Sequence, residues 1–247
     1  MATRENKATQ GIVYRLTPIK EKDAMVSCIG EEGLFSFFAR GVMNPSSPDF
    51  AGTSLLSESS FVLTVSSQDA LRLKESSLLR SYRGNEDYLS MMATQAILEV
   101  LCKVMAEDDA SSIHPIFKTC MGQIAGKGDP LTVLAIFLAK FLIVSGYGPT
   151  LDGCALCESK KDIVAFAPSQ GGYLCRNCAE EVGEAKTSVD VLKAIRAVFL
   201  VPLESIGTFA FPPLTVFPLL SLLQAMVEEA VGVPLKGVAS LLKYHDK

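Results

Sequence analysis

The most informative segments of this chain are GYGPTLDGCALC at residues 146–157 and GGYLCRNC at residues 171–178. It contains two Cys-x-x-Cys pairs, Cys154 with Cys157 and Cys175 with Cys178, separated by 17 residues. Each pair places two thiolates on one side of a metal ion, and two pairs complete a tetrahedral sulfur cage whose usual occupant is Zn²⁺. Because four sulfur ligands leave no open position for water or substrate, we expect one structural zinc ion per chain.

Two other interpretations of these thiols fit less well. A disulfide framework suits small secreted domains, whereas this chain has 247 residues, 49% of them hydrophobic, which is enough to bury a core. A thioredoxin-like redox site needs a single Cys-x-x-Cys at the start of a helix. Cys28, Cys102 and Cys120 stand singly in apolar contexts, so we expect them to be buried free thiols in a reducing, cytoplasmic compartment.

Composition sets further limits on function. The net charge of −4 and the pI of about 5.3 argue against a protein that coats nucleic acid by bulk charge, but they leave room for a local basic groove. No apolar run reaches the roughly 18 residues of a membrane span, and the polar N-terminus predicts no secretory signal.

The first 80 residues predict five short strands rich in β-branched and aromatic residues, which fit a small closed barrel of the OB type. The predicted strands are residues 11–16, 25–30, 34–40, 55–65 and 70–76. After Tyr82 the apolar spacing becomes helical. The predicted helices are residues 87–105, 113–124, 130–144, 188–199, 214–231 and 235–244.

These patterns predict an α+β multidomain protein. An N-terminal OB-fold β-barrel at residues 1–80 is followed by an α-helical bundle domain at residues 81–247, with the four-cysteine zinc loop inserted at residues 150–180.

Several segments resemble the RecO family of bacterial recombination mediators, and together they span nearly the whole chain. The most diagnostic is FLIVSGYGPTLDGCALC at residues 141–157 followed by GGYLCRNC. The others are GIVYRLTPIKEKDAMVSCIGEEGLFSFFARG at 11–41, FAGTSLLSESSFVLTV at 50–65, YLSMMATQAILEVL at 88–101 and GVPLKGVASLL at 232–242.

The resemblance implies a function as well as a fold. It implies a protein that binds single- and double-stranded DNA, anneals complementary strands and helps load RecA onto DNA coated with single-stranded-DNA-binding protein (SSB). Its implied partners are the SSB tail, RecR and, in many members, RecF, and its implied location is the cytoplasm, associated with the nucleoid.

Six basic residues are candidates for a DNA-binding face on the barrel: Arg15, Lys20, Lys22, Arg40, Arg72 and Lys74. Such a groove would use Tyr14, Phe35 or Phe37 to stack on bases, although the two phenylalanines fit a barrel core better. The alternative interpretation is that these six residues form an ordinary solvated surface and do not bind DNA.

One departure from the family concerns DNA affinity. Relatives usually carry a run of Lys and Arg after the segment ARG, where this chain reads VMNPSSPD at residues 42–49. Residues 1–80 contain nine Lys or Arg and nine Asp or Glu. We therefore expect modest or partner-dependent DNA binding, and the alternative function is a protein-interaction scaffold that binds SSB or RecR with weak or lost DNA binding.

The final helix is the candidate partner surface. Lys236, Leu241 and Lys243 lie on an amphipathic segment that suits the acidic, Phe-ending SSB tail, although packing against the bundle explains the apolar spacing equally well. Lys160, Lys161 and Arg176 near the cysteines are interpreted as a solvated tip.

No motif predicts catalysis. The chain has no P-loop, no His-Glu-x-x-His and no Gly-x-Ser-x-Gly. The adjacent acids Glu107, Asp108 and Asp109 suggest a solvated cap rather than a nuclease centre. His114 and His245 are expected to be ordinary surface residues, so we predict a protein that is not an enzyme.

Overall fold

The structure is a computed structural model of the chain, and it describes residues 6–65, 70–84, 87–103, 105–126 and 128–245. The chain divides into two compact units. The first contains Met1–Asn85 with Met105–Ala125, and the second contains Glu86–Val104 with Gly126–Lys247. We call them the barrel unit and the helical unit.

The barrel unit contains the predicted OB-type barrel. Its strands close in the order β1-β2-β3-β5-β4, and only β3 and β5 pair in parallel. The strands are β1 (Asn6–Pro18), β2 (Ala24–Gly30), β3 (Gly33–Ala39), β4 (Ser57–Val65) and β5 (Leu71–Ser81), with the short helix α1 (Phe50–Thr53) between β3 and β4.

Alternation of side chains along the strands builds the barrel core. Val13, Val26, Phe37, Phe61 and Leu63 are almost completely buried and belong to one apolar cluster. Phe37 and Phe61 lie with their ring centroids 4.9 Å apart. The interior is therefore filled with side chains, as expected for a barrel of this size.

The compact units do not coincide with the predicted domains 1–80 and 81–247. Helix α3 (Ala110–Ala125) groups with the barrel and packs on β2 and β3 through its buried face, which includes Ile113 and Phe117. A Cβ on Gly33 would lie 3.9 Å from the Ala110 methyl group. The apolar spacing that correctly predicted this helix carries no information about which partner its face covers.

The helical unit contains the remaining predicted helices. They are α2 (Tyr88–Lys103), α4 (Pro130–Val144), α6 (Val189–Leu200), α7 (Pro213–Val231) and α8 (Lys236–His245). The zinc loop adds elements that the sequence did not predict, namely the short helix α5 (Arg176–Val182) and a two-stranded sheet of β6 (Ile163–Ala167) and β7 (Gly172–Cys175). Asp129 caps α4 by accepting a hydrogen bond from the Thr132 N–H at 2.8 Å, and Pro130 opens that helix. Helix α4 is buried along most of its length and packs against α2, α6 and α7.

Helix α7 is long and apolar enough to cross a membrane by length and composition, a feature that we did not predict from the sequence. Its residues Leu219, Leu220 and Leu223 are buried, and the helix packs against α4, α6 and α8. These contacts are those of a core helix, which passes the same test.

Candidate metal centre and DNA-binding surface

The structure brings the four predicted cysteines together. One sulfur atom from each of Cys154, Cys157, Cys175 and Cys178 lies within 4.8 Å of the other three, and the Sγ atoms of Cys157 and Cys175 are 3.6 Å apart. Three of the four cysteines are buried and Cys157 is exposed.

Local backbone structure positions both halves of the cluster. The first pair lies in a tight turn, in which the Cys154 N–H donates to the Ser159 carbonyl and the Glu158 N–H donates back to the Cys154 carbonyl. Glu158 has a φ of 61°, and a Cβ on Gly153 would lie 2.9 Å from the Glu158 carbonyl oxygen. Glycine at position 153 is therefore required by the closeness of the turn.

The second pair spans the end of a strand and the start of a helix. Cys175 is the last residue of β7 and the N-cap of α5, and Cys178 lies in the first turn of that helix. The Ala155 N–H donates to the Tyr173 carbonyl at 2.7 Å, which ties the first turn to β7. The two cysteine pairs are thus held together by backbone hydrogen bonds as well as by sequence spacing.

The electrostatics of the cluster favour a negative charge on the sulfur of Cys154. Burial alone raises the pKa of Cys154, but the backbone N–H groups of Cys175, Cys157 and Leu156 outweigh it and lower this pKa to about 6. Neighbouring thiols raise the pKa of Cys178, chiefly through hydrogen bonds with Cys157 and Cys175. Four thiolates this close repel one another, and a divalent cation at their centre removes that repulsion.

The donor set fits a tetrahedral metal ion. Zinc–sulfur bonds of about 2.3 Å correspond to sulfur separations of roughly 3.8 Å in a tetrahedron. The observed separations, all within 4.8 Å, need only small side-chain shifts to reach that geometry. The N–H groups directed at the sulfurs are the second shell that such sites use to orient their ligands.

Four of the predicted DNA-binding residues meet at one end of the barrel. Lys22 lies in the turn between β1 and β2, and its carbonyl accepts a hydrogen bond from the Met43 N–H at 3.0 Å. The Asp23 carboxylate accepts one from the Gly41 N–H at 2.9 Å. These two bonds hold the turn beside exposed Arg40, which follows β3.

Strand β5 brings the next two basic residues to the same end. Arg72 pairs in parallel register with Phe38, so Lys74, two residues further along, continues past the end of β3 on the side of Arg40. Both side chains are exposed. The Arg72 guanidinium lies over the Phe38 ring at 5.9 Å from its centroid.

Arg15 and Lys20 are exposed and complete the six candidates. Arg15 pairs with Ser27 in the middle of β1, whereas Lys20 shares the turn with Lys22. The expected stacking residues behave differently, because Tyr14 and Phe37 are buried and Phe35 packs partly buried against the core. The aromatic ring nearest these cations is Phe38, which our sequence reasoning missed. Adjacent residues of a β-strand point to opposite faces, so a buried Phe37 could have indicated that Phe38 points outward.

The loop after Arg40, at residues 42–49, has a structural role. Asp49 accepts hydrogen bonds from the Ser76 N–H and hydroxyl, both at 2.7 Å, and these bonds tie the loop to β5. The Ser47 hydroxyl in turn accepts from the Asp49 N–H. Asp49 therefore anchors the loop to the barrel.

Helix α8 is docked through a buried carboxylate. Glu99 accepts hydrogen bonds from the backbone N–H groups of Lys236 and Gly237, at 3.1 and 2.6 Å, and from the Lys103 ammonium at 2.5 Å. Burial raises the pKa of Glu99, but these donors outweigh it and hold the pKa below its usual range.

The candidate partner residues on α8 differ in their exposure to solvent. Lys236 and Lys243 are exposed, whereas Leu241 is completely buried and packs with the bundle. In this structure the Leu241 side chain is a core group, because the apolar face of α8 covers α2 and α7.

Two minor expectations from the sequence are wrong. His114 is buried because it lies on α3, which packs on β2 and β3, and burial lowers the pKa of His114. Cys102 is exposed on α2, while Cys28 and Cys120 are buried as expected. The side chain of His245 lies outside the described residues. Glu107 and Asp108 are exposed in a short 3₁₀ turn, as a solvated cap requires.

Comparison with known proteins gives one consistent result. The family model described as "Recombination protein O C terminal" matches residues 85–239. Among curated proteins, the DNA repair protein RecO of Bacillus mycoides is 27% identical over 237 residues, covering 92% of this chain and 93% of the relative. The proteins of the same name from Halalkalibacterium halodurans and Bacillus cytotoxicus are 26% and 27% identical, over 92% of this chain.

The matched segment contains the cysteine cluster, the Glu99 anchor and the first turn of α8, which are the features that organise the helical unit. The full-length relatives cover the barrel as well. The chain belongs to the RecO family, whose named relatives are DNA repair proteins.

Proposed function

We propose that this protein is a non-enzymatic recombination mediator. It binds single- and double-stranded DNA, anneals complementary strands and helps load RecA onto SSB-coated single-stranded DNA during recombinational repair. The observation that carries the proposal is family membership over almost the whole chain, together with exposed cations at one end of an OB-type barrel.

The DNA-binding surface in this proposal is the barrel end with Lys20, Lys22, Arg40, Arg72 and Lys74, with Arg15 on the adjoining wall. Its cations contact phosphates, and Phe38 offers a ring edge to a base. The surface is small because the loop after Arg40 supplies no further cation. We therefore expect weak affinity with a shallow salt dependence.

The metal in this proposal is Zn²⁺, one ion per chain, bound by Cys154, Cys157, Cys175 and Cys178. A four-sulfur donor set selects zinc among the common divalent ions and leaves no coordination position for a substrate. The ion stabilises the turn, β7 and α5 as one unit.

The partner surface in this proposal lies on α8. Lys236 and Lys243 supply the cationic rim for the acidic SSB tail, and the partly exposed residues beside them supply apolar contact. RecR is a further partner, as is RecF in many members of the family. The protein acts on RecA indirectly, by helping to load it onto DNA.

A fluorescence assay with SSB-coated complementary oligonucleotides tests the mediator function. We expect the protein to accelerate annealing at low salt, and no acceleration would contradict the proposal. The double variant Lys22→Ala/Arg40→Ala is expected to slow annealing. It should also flatten the dependence of log K on log salt by about 1.4, since each phosphate contact on a single strand contributes about 0.7.

The matched control is Lys160→Ala/Arg176→Ala, which removes one lysine and one arginine from the exposed part of the zinc loop. It should leave annealing and the salt slope unchanged. An equal loss in both double variants would indicate a general charge effect rather than a barrel surface.

The second candidate function is a scaffold that binds SSB or RecR without DNA. The balanced charge of residues 1–80 favours it. A scaffold would show neither single-strand binding nor a salt slope, so a titration of labelled single-stranded DNA at several salt concentrations separates the two functions.

A further inference from the structure

The barrel unit has a cavity beside the turn that joins β2 to β3. Its volume is about 320 Å³, and it lies where the first residues of β1 meet that turn. Phe35, Leu63 and Leu71 form its apolar floor, and His114 and Lys118 of α3 contribute one wall. All of these residues belong to the barrel unit.

One wall of this cavity is an open strand edge. Strand β1 pairs with β4 from Asn6 to Ile12, but its pairing with β2 begins only at Ile12, opposite Ile29. In the described part of the chain, no second strand pairs with β1 before Ile12. Its outward backbone N–H and C=O groups are therefore available to an added strand.

The register shows which side chains face the cavity. Lys7, Thr9 and Gly11 stand opposite Leu63, Phe61 and Ser59 of β4, all three of which are buried. Cross-strand partners lie on the same face of a sheet, so these positions of β1 face inward. A strand added beside β1 would occupy the line of β2 beyond Gly30, and every second side chain would point into the cavity.

The charges around the opening set the chemistry of the occupant. Glu31 and Glu32 lie exposed at the β2–β3 turn, and Glu31 makes no ion pair among the described residues. Lys7 reaches Glu32 at 3.9 Å, with both side chains more than half exposed, so this pair is weak and easily opened. Glu58 is already engaged by Lys118 at 2.5 Å and by the Tyr82 hydroxyl at 2.7 Å.

We propose that this cavity is a docking site for an extended peptide segment of a partner protein, which adds as a strand to the open edge of β1. One apolar side chain of the segment enters the cavity over Phe35, and a neighbouring lysine or arginine binds Glu31 and Glu32. The exposed carboxylates of Glu31 and Glu32, at the rim of the cavity, disfavour DNA phosphates and acidic tails. The expected ligand differs in charge from those proposed for the DNA-binding surface and the α8 surface, and the proposal does not depend on either.

A peptide-display selection against the full-length protein tests this site. We expect enrichment of segments in which an apolar residue is flanked by lysine or arginine. Synthetic copies of the enriched peptides should bind at least tenfold more weakly to Thr9→Phe, which fills the cavity, and to Glu31→Lys/Glu32→Lys, which reverses the charge of the rim. The second variant changes only exposed side chains, so it keeps the test valid if Thr9→Phe fails to fold.

Two matched controls lie outside the cavity lining. Thr17→Phe introduces the same side chain at an exposed position of the same strand, and Glu21→Lys reverses an exposed carboxylate in the β1–β2 turn. Both should bind the peptides with unchanged affinity. Amide exchange should show new protection between Lys7 and Gly11 when peptide is bound, because strand addition pairs those backbone groups.

Three results would overturn the proposal. The first is no enrichment, or enrichment of peptides whose binding ignores the cavity and rim variants. The second is binding without amide protection in β1, which would exclude strand addition. The third is concentration-dependent self-association in sedimentation that Thr9→Phe abolishes, which would assign the edge to a second copy of this chain.

Discussion

The cysteine cluster and the basic end of the barrel, our proposed DNA-binding surface, collect their functional groups in opposite ways. The four cysteines lie within 25 residues and are held by a turn and by the junction of β7 and α5. The basic residues from Lys20 to Lys74 come from three separate parts of the barrel and meet only when it closes. The first site is a property of local sequence, and the second is a property of topology.

This difference changes what each site requires. At the cysteine cluster, the apolar core is small and includes Ala165 and Leu174, so an ion that joins the two short segments would supply much of their stability. At the barrel, the core comes first and the surface charges add little to stability. We therefore expect that loss of one cysteine removes metal binding and much of the stability of the cluster at once. Loss of one basic residue from the barrel should weaken the proposed DNA binding only in part.

The largest effect is expected from Cys175→Ser. Structural zinc contributes roughly 10–16 kcal/mol of binding free energy in zinc-finger peptides, so losing one ligand should lower the free energy of unfolding by about 5 kcal/mol or more. Elemental analysis should find about one zinc per chain in the wild type and almost none in the variant. Cys102→Ser, at an exposed cysteine outside the cluster, is the control and should retain both metal and stability. If the wild-type protein contained no bound metal, the prediction that the four cysteines bind zinc would be wrong.

The next effect tests whether the barrel depends on its core rather than on its charges. Phe37 is completely buried between β2 and the ring of Phe61, so Phe37→Ala should destabilise the barrel by about 3–5 kcal/mol. The adjacent variant Phe38→Ala removes a partly exposed ring and its cation–π contact, and it should cost about 1 kcal/mol. Denaturant unfolding measures both, and equal losses would show that the two faces of β3 are not distinct.

The cysteine cluster and the five strands could be predicted from the sequence, whereas most of the surfaces could not, and the reason is physical. Cysteine spacing and β-alternation are local patterns, so residues 154–178 and the strands followed directly from them. Burial of His114 and Leu241 depends on which neighbour covers a helix face, and no single-chain pattern encodes that. The cavity beside Lys7 and Gly11 arises because β1 extends beyond β2, a mismatch in length that is visible only when both pairings are known.

The helical unit also contains hydrogen bonds between residues that are far apart in sequence, unlike the four cysteines, which lie within one short segment. Glu99 joins α2 to the start of α8 across more than 130 residues of sequence. Glu99→Gln removes the charge from its hydrogen bonds and should lower the free energy of unfolding by about 2 kcal/mol. Glu229→Gln, an exposed position on α7, is the control and should change little.

The effect of Glu99 should depend on pH in a defined direction. Folding lowers its pKa, so its contribution to stability is complete above the ordinary glutamate pKa of about 4.3 and is lost as pH falls through the lower pKa of the folded state. Thermal melts of wild type and Glu99→Gln between neutral and acidic pH should therefore converge at low pH. A difference that persists unchanged in acid would mean that Glu99 acts through packing alone.

The smallest effect concerns the ion pair between Lys118 of α3 and Glu58 of β4 inside the barrel unit. Lys118 is about half exposed, with a side-chain exposure of 45%, so Lys118→Met should cost only about 1 kcal/mol. Burial raises the pKa of Glu58, but hydrogen bonds from Lys118 and Tyr82 hold it below its usual value, so this contribution too should fade in acid. A double-mutant cycle with Glu58→Gln isolates the coupling between the two side chains. A coupling near zero would leave α3 attached to the barrel by its apolar face alone, whereas a coupling of several kcal/mol would make the charges, and not the core, the basis of that attachment.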